Sequence, residues 1–194
     1  MSKIDLKKIE EVENKVKDLC EMGSIKVNHK KVAVLISLMV KKANNNLKFA
    51  KIALKISDSK DIKETLGLSE HDSFYDWVII TAYYAMFHIA HALLATKEIK
   101  IGKIRAHEAT LYALAKYFII NKELEDELFL MYEDAEAKAE ELFNSLSDEK
   151  EKRGQFTYER LPKANRLPAE ESIKNATRFV RDIETILKKR NYVK

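Results

Sequence analysis

Residues 77–96 read WVIITAYYAMFHIAHALLAT, twenty residues without an Asp, Glu, Lys or Arg. A helix made from them has no polar face, and its alanines let neighbouring helices approach closely. Trp77 to Thr96 is therefore expected to be a central helix with the other elements packed around it. Twenty apolar residues are also about enough to span a bilayer. His88 and His91 near the middle, the tyrosine and threonine hydroxyls, and the amphipathic segments on either side favour a buried core helix, and no membrane association is expected.

Outward from this helix, Asp72 or Ser73 is the expected N-cap, and the polar stretch 57–73 reads as a connecting loop with at most a short turn of helix. Before it, a long helical pattern runs from Asn28 to Ile56 through VAVLISLMV, Ala43, Leu47 and Ala50. Asn44, Asn45 and Asn46 are weak helix formers in its middle, and a break or kink is expected there. Ser2 to Glu21 carries Leu6, Ile9, Val12, Val16 and Leu19 at three- and four-residue spacing, an amphipathic helix capped by Ser2 and closed by the turn at Gly23. Its narrow stripe suits packing against the bundle or against a partner.

Beyond the central helix, a loop at 98–103 leads to a shorter helix with the stripe His107, Leu111, Leu114 and Phe118, stopped by Asn121. A fifth helix uses Leu124, Leu128, Met131, Ala135, Leu142 and Leu146, and Ser147 to Leu167 reads as an exposed basic loop. The last helix opens near Pro168, has Glu170 and Glu171 in its first turn, and ends in Lys188, Lys189 and Arg190, so both ends suit the helix dipole. The expected fold is all-α: an up-and-down bundle of five to six helices over 28–194, with an N-terminal helical extension over 1–27.

Composition agrees. Four Gly and two Pro in 194 residues supply too few turns for an all-β or α/β chain. The 35 basic and 31 acidic residues leave a net charge of +4, so no single-sign field dominates. Cys20, the single cysteine, has no intrachain partner, and the charged N-terminus lacks the apolar core of a signal peptide. A reducing, cytoplasmic setting is expected.

Tyr84, His88 and His91 fall at i, i+4 and i+7 on one helical face, and His107 opens the stripe of the next helix. Convergence of these side chains gives a small polar site with a histidine acid–base and an orienting tyrosine. The competing reading is that His88 and His91 are core histidines satisfied by neighbouring hydroxyls or carbonyls. A metal site built from the i, i+3 histidine pair with His107 or Glu108 is the weaker alternative: the zinc-protease spacing is absent and Cys20 is remote, so no metal and no cofactor are expected. Lys100 and Lys103 in one loop, and Lys152, Arg160, Lys163 and Arg166 in the other with Phe156 and Tyr158 interleaved, are candidates for holding a phosphate backbone. Ordinary solvated loops are the plainer reading. Glu98, Glu149, Glu151 and Glu159 dilute the charge, which makes any such binding modest and salt-dependent.

Tyr83-Tyr84-Ala85-Met86-Phe87-His88, followed by Ala92-Leu93-Leu94 and then His107, resembles the HEPN superfamily over about Ala43 to Leu187. The resemblance implies an up-and-down bundle that forms homodimers and is often encoded beside a minimal nucleotidyltransferase in toxin–antitoxin or defence modules. Catalytic members are metal-independent ribonucleases marked by an Arg, four to six residues, then a His. None of the seven arginines stands at that distance before a histidine, and Arg105-Ala106-His107 is too short. The Arg153 to Tyr158 stretch keeps the arginine and tyrosine of a second family motif but has Thr157 in place of its acid. The function implied first is a HEPN-like RNA- or nucleotide-binding protein without the standard ribonuclease motif. The second is a ribonuclease toxin with a rearranged site, His88 or His107 as acid–base, Arg105 or Arg153 on phosphate, and Tyr84, His91 and Tyr158 around them. The third is an interaction protein whose N-terminal helix captures a partner.

Overall fold

Helix α4 (Tyr75–Ala95) runs through the middle of the molecule, as its lack of a polar face requires. The helices around it are α2 (Ile36–Asp58), α5 (Ala106–Leu114), α6 (Asp126–Glu151) and α7 (Arg166–Lys189). The computed structural model describes residues 6–151 and 165–193. By length and composition α4 could cross a membrane, but most of its surface is covered by protein.

Small side chains set the tightest packing. Ala43, Ala50 and Ala53 on α2 and Ala82, Ala85 and Ala90 on α4 are all buried, and this helix pair makes the most extensive contact in the molecule. Ser57 fixes its antiparallel register: its Oγ donates to the Ala53 carbonyl (2.8 Å) and accepts the Phe74 N–H (2.8 Å), tying the end of α2 to the start of α4. The expected break at Asn44–Asn46 does not occur, and α2 is continuous. The Nδ2 groups of Asn44 and Asn46 donate to the carbonyls of Val40 (3.2 Å) and Lys42 (2.9 Å) one turn back, so their amides lie along the helix rather than compete with it.

The start of the expected second helix is instead a 3-10 segment, Lys30–Leu35. Between α2 and α4, Ser59 caps the short α3 (Lys60–Thr65) by accepting the Ile62 N–H. Phe74 holds the N-cap position of α4 without a side-chain bond, and Asp72, one of the expected caps, accepts the Ser69 N–H (2.7 Å). Helix α7 starts after Asn165 with Pro168 in its first turn. Its buried face, including Phe179, Val180 and Ile183, packs along α4, and a two-pronged Arg178–Glu127 bridge (2.6 and 2.7 Å) ties it to α6.

Helix α1 (Leu6–Glu21) buries Val16 and Leu19, and it packs against α5 and the π-helical turn Ala115–Ile119 that continues α5. Val12, Val16 and Leu19 of its apolar stripe are thus used within the chain. Two strands follow that the sequence did not announce: β1 (Ile25–Lys26) pairs antiparallel with β2 (Lys100–Ile101), Ile25 opposite Ile101. Gly102 extends the ribbon by donating its N–H to the Ser24 carbonyl (2.7 Å). A Cβ there would stand 2.7 Å from the Gly23 carbonyl oxygen, so only glycine fits. The N-terminal segment thereby clamps the loop between α4 and α5.

Candidate functional site

Adjacent residues on a helix point about 100° apart, so Tyr83 and Tyr84 leave α4 in different directions. Tyr83 is buried where α4, α5 and α6 meet, its ring 5.9 Å from that of Tyr132. Its Oη lies 2.6 Å from Nδ1 of His107, the second residue of α5. Burial raises the Tyr83 phenol well above its usual range and lowers the His107 imidazole, the latter partly offset by Glu140. The pair is therefore neutral at pH 7. When Nδ1–H donates to Tyr83, Nε2 is free as a base; when the phenol donates to Nδ1, Nε2 presents a proton.

His107 opens on a cleft of about 850 Å³ between α4, α5 and α6. Tyr84, Tyr112 and Phe143 give it aromatic walls, and Glu108, Glu133, Glu136 and Glu140 line it with carboxylates. Glu136 is half-buried, and its burial together with the neighbouring Glu140, Glu133 and Glu108 pushes its carboxyl up to about 7. Arg105 stands at the rim in a left-handed conformation (φ 48°) just before α5. Both its Nη2 (2.8 Å) and Nε (2.5 Å) engage Glu108, which also holds Lys15 of α1 at 2.8 Å. The guanidinium is thus positioned, with part of its charge answered within the chain.

The other sequence candidates are placed as follows. Tyr84 borders the cleft, its ring 6.1 Å from that of His107, but the phenol that bonds His107 is that of Tyr83. His91 is partly buried and faces α5: Thr110 Oγ1 gives its proton to the Ala106 carbonyl (2.7 Å), so His91 Nε2–H donates to Thr110 (2.9 Å). Burial holds the His91 imidazole down to about 3. His88 is half-buried on the outer side of α4, and its burial and the nearby Lys42 lower its basicity. Lys100 lies in β2 and Lys103 is exposed in the loop leading to α5. Arg166, read as a phosphate-binding residue, is already paired with Asp58 (3.4 Å) and Glu170 (2.8 Å). Lys152, Arg153, Tyr158, Arg160 and Lys163 lie outside the described residues. The structure thus brings Tyr84, Arg105 and His107 to the cleft; His88 stands beside Tyr84 with ring centroids 6.2 Å apart and His91 against Phe87 (4.2 Å), and neither lines the cleft.

Sequence reasoning passed over Tyr83 as a site residue and the carboxylates of Glu133, Glu136 and Glu140. The spacing of Glu133, Glu136 and Glu140 at i, i+3 and i+7 did mark one face of a helix, but only the fold turns that face onto His107.

His91 makes one part of the pH dependence testable. Above its ordinary value of about 6.5 both folded and unfolded chains carry it neutral; below that, the unfolded chain takes a proton that the fold refuses until about pH 3. Stability from this group is therefore lost as pH falls from about 6.5 towards 3. Thermal melts of wild type and His91→Gln at pH 7 and pH 4.5 should show the smaller acid loss in the variant, which keeps a donor for Thr110 but does not titrate. Equal losses would contradict a His91 held neutral by the fold.

Comparison with known proteins adds an independent line. The sequence model of the HEPN domain family matches residues 58–189. A protein of Methanocaldococcus jannaschii named "Putative toxin MJ0142" is 42% identical over 79 residues, which make up 41% of this chain and 50% of that protein. The chain thus spans about half the length of the curated relative it matches. No solved structure matches it.

Proposed function

Because the chain belongs to the HEPN domain family, we propose that it is the toxin-like member of a two-component module, a homodimer that binds RNA or a nucleotide, with a minimal nucleotidyltransferase as its partner. The observation that carries this reading is the grouping of Tyr83, His107 and Arg105 on a cleft of about 850 Å³ with aromatic walls, within the size range of small-ligand pockets. A nucleoside suits the interior. Tyr84, Tyr112 and Phe143 offer faces for a base, and the carboxylates accept hydrogen bonds from ribose hydroxyls and exocyclic amino groups. Phosphates, which the carboxylates repel, remain at the rim, where Arg105 stands at the end of the loop that carries Lys100 and Lys103.

A second reading, a metal-independent ribonuclease, is favoured by one observation: a neutral His107 steered by a buried phenol is able to take a proton from a ribose hydroxyl. The spacing of Arg105 and His107 and the engagement of Arg105 by Glu108 make binding the first choice.

Titration of single-stranded RNA at low and high salt tests the proposal. Wild type should bind at low salt and lose affinity as salt rises. Lys100→Ala/Lys103→Ala should flatten the salt dependence by about 1.4 in slope for two lost phosphate contacts. His107→Ala should weaken binding about tenfold, the equivalent of about 1.4 kcal/mol, with the slope unchanged. No affinity at low salt would overturn the reading, and RNA cut by wild type but left whole by His107→Ala would promote the ribonuclease in its place.

A further inference from the structure

Helices α2 and α7 both lie on α4 and pack against each other. They run antiparallel: Asn44 meets Glu184 near the middle of the pair (2.5 Å), and Asp58 meets Arg166 at one end (3.4 Å). Stepping outward from the Asn44–Glu184 contact sets Lys41 level with Lys188 in one direction. In the other it sets Lys48 level with Arg181 and, one heptad further, Lys55 level with Lys174. All six are exposed. Each row repeats every seven residues, so its side chains leave the helix in nearly one direction. That direction is opposite the buried faces, which hold Ala43, Leu47 and Ala50 on α2 and Ala176, Phe179 and Ile183 on α7. The outer surface of the pair is thus a ridge of three cationic rungs, about 10.5 Å apart at the helical rise, in two rows about 8–10 Å apart.

Little within the chain answers these charges. Helix α2 has no acid before Asp58, which is paired with Arg166. The acids of α7 are engaged: Glu170 with Arg166 (2.8 Å), Glu171 with Lys138 (3.0 Å), Asp182 with Arg178 (3.7 Å) and Arg181 (2.9 Å), and Glu184 with the Asn44 amide. Among the described residues Arg181 is the one member of the rungs with an ion-pair partner. Like charges held in register repel one another, so the ridge is completed by an anion that repeats along it. The outward sides of two helices are convex, which suits the flank of a polymer better than a small anion.

The chemistry between the rows says which polymer. An acidic protein partner needs an apolar anchor, but the exposed apolar residues of α2, Leu38, Phe49 and Ile52, stand on the far side of the lysine row. That side is the one where Lys42 lies beside His88 of α4. A single strand is held by stacking on aromatic rings, and the residues between the rows, Asn44, Lys51 and Thr177, supply amide, ammonium and hydroxyl groups instead. A duplex turns its bases inward and presents phosphates and sugars, which cations, amides and hydroxyls hold without reading sequence. We infer that the ridge of α2 and α7 docks the backbone of a nucleic-acid duplex, with Lys41 and Lys188, Lys48 and Arg181, and Lys55 and Lys174 holding it rung by rung. The cleft lies between α4, α5 and α6, so this surface is separate from it and the inference stands apart from the function proposed for the cleft.

Fluorescence anisotropy of a labelled RNA duplex and of a DNA duplex of the same length, titrated with the full chain over a series of salt concentrations, tests this. Binding of either duplex, weakening as salt rises, is expected, and the tighter of the two names the source of the backbone. Lys41→Ala/Lys188→Ala and Lys48→Ala/Arg181→Ala should each lower the salt slope by about 1.8, the equivalent of two phosphate contacts. Their helical spectra should match wild type, since all four side chains are exposed. Lys17→Ala/Lys26→Ala removes the same charge from exposed positions on α1 and β1 and should leave the slope as it is. Labelled oligouridine should show no dependence on the rungs. No duplex bound at low salt, or a slope lowered as much by Lys17→Ala/Lys26→Ala as by a rung variant, would overturn the inference. So would oligouridine that loses as much as the duplex in the rung variants, which would point to a single strand. Polyglutamate held through the same rungs as tightly as the duplex would overturn it in favour of an acidic protein.

Discussion

Replacing Phe179 with alanine is expected to lower the free energy of unfolding by about 3–5 kcal/mol, the range for emptying a phenylalanine site in a packed core. Phe179 is fully buried on α7, with its ring 5.7 Å from that of Tyr132 on α6, at the level where both helices meet α4. Deleting the ring removes apolar contact and leaves a cavity that three helices cannot all close on at once. Urea unfolding followed by circular dichroism should show an earlier midpoint with an unchanged slope. Leu167 is the control. It begins the same helix but is 74% exposed, so Leu167→Ala should stay within about 0.5 kcal/mol of wild type. A Phe179→Ala cost as small as that of Leu167→Ala would mean that α7 does not pack as described.

The contrast between these two side chains shows what the sequence could carry. The helices were legible because each buries one periodic stripe, or in α4 the whole circumference, and a periodicity of 3.6 survives without any knowledge of neighbours. What depended on neighbours was not legible. The β1–β2 ribbon is two residues per strand, too short for an alternating pattern, and exists because Gly102 lets the loop after α4 approach the turn at Gly23. The asparagines of α2 are poor helix formers on average, yet Asn44 also donates to Glu184 of α7 (2.5 Å), a bond across 140 residues. The π turn after α5 likewise has no local cue.

The site divides in the same way. His107 and Arg105 could be picked out because histidines are few and the family resemblance drew the eye to them. The choice between Tyr83 and Tyr84 could not be made, since the two are adjacent and only the position of α5 decides which phenol meets the imidazole. The carboxylates were invisible for a related reason. Glu133, Glu136 and Glu140 look like the solvated face of an ordinary amphipathic helix until α6 is laid beside α4 and α5.

The second large effect is expected at His107. If the toxin-like action proposed above runs through the cleft, the residue that joins Tyr83 to the open space must matter more than any other polar group there. Truncating it leaves the buried Tyr83 hydroxyl without the imidazole it now bonds and removes a neutral nitrogen base that faces the cleft. The fold should survive, because His107 is half-buried and sits in the first turn of α5. The most direct test is growth of a bacterial host on induction of the wild-type chain, of His107→Ala, and of His91→Gln, with protein levels matched by immunoblot. Wild type and His91→Gln should arrest growth, whereas His107→Ala should restore colony counts to those of the empty vector; arrest by His107→Ala equal to wild type, or no arrest by wild type, would contradict the account.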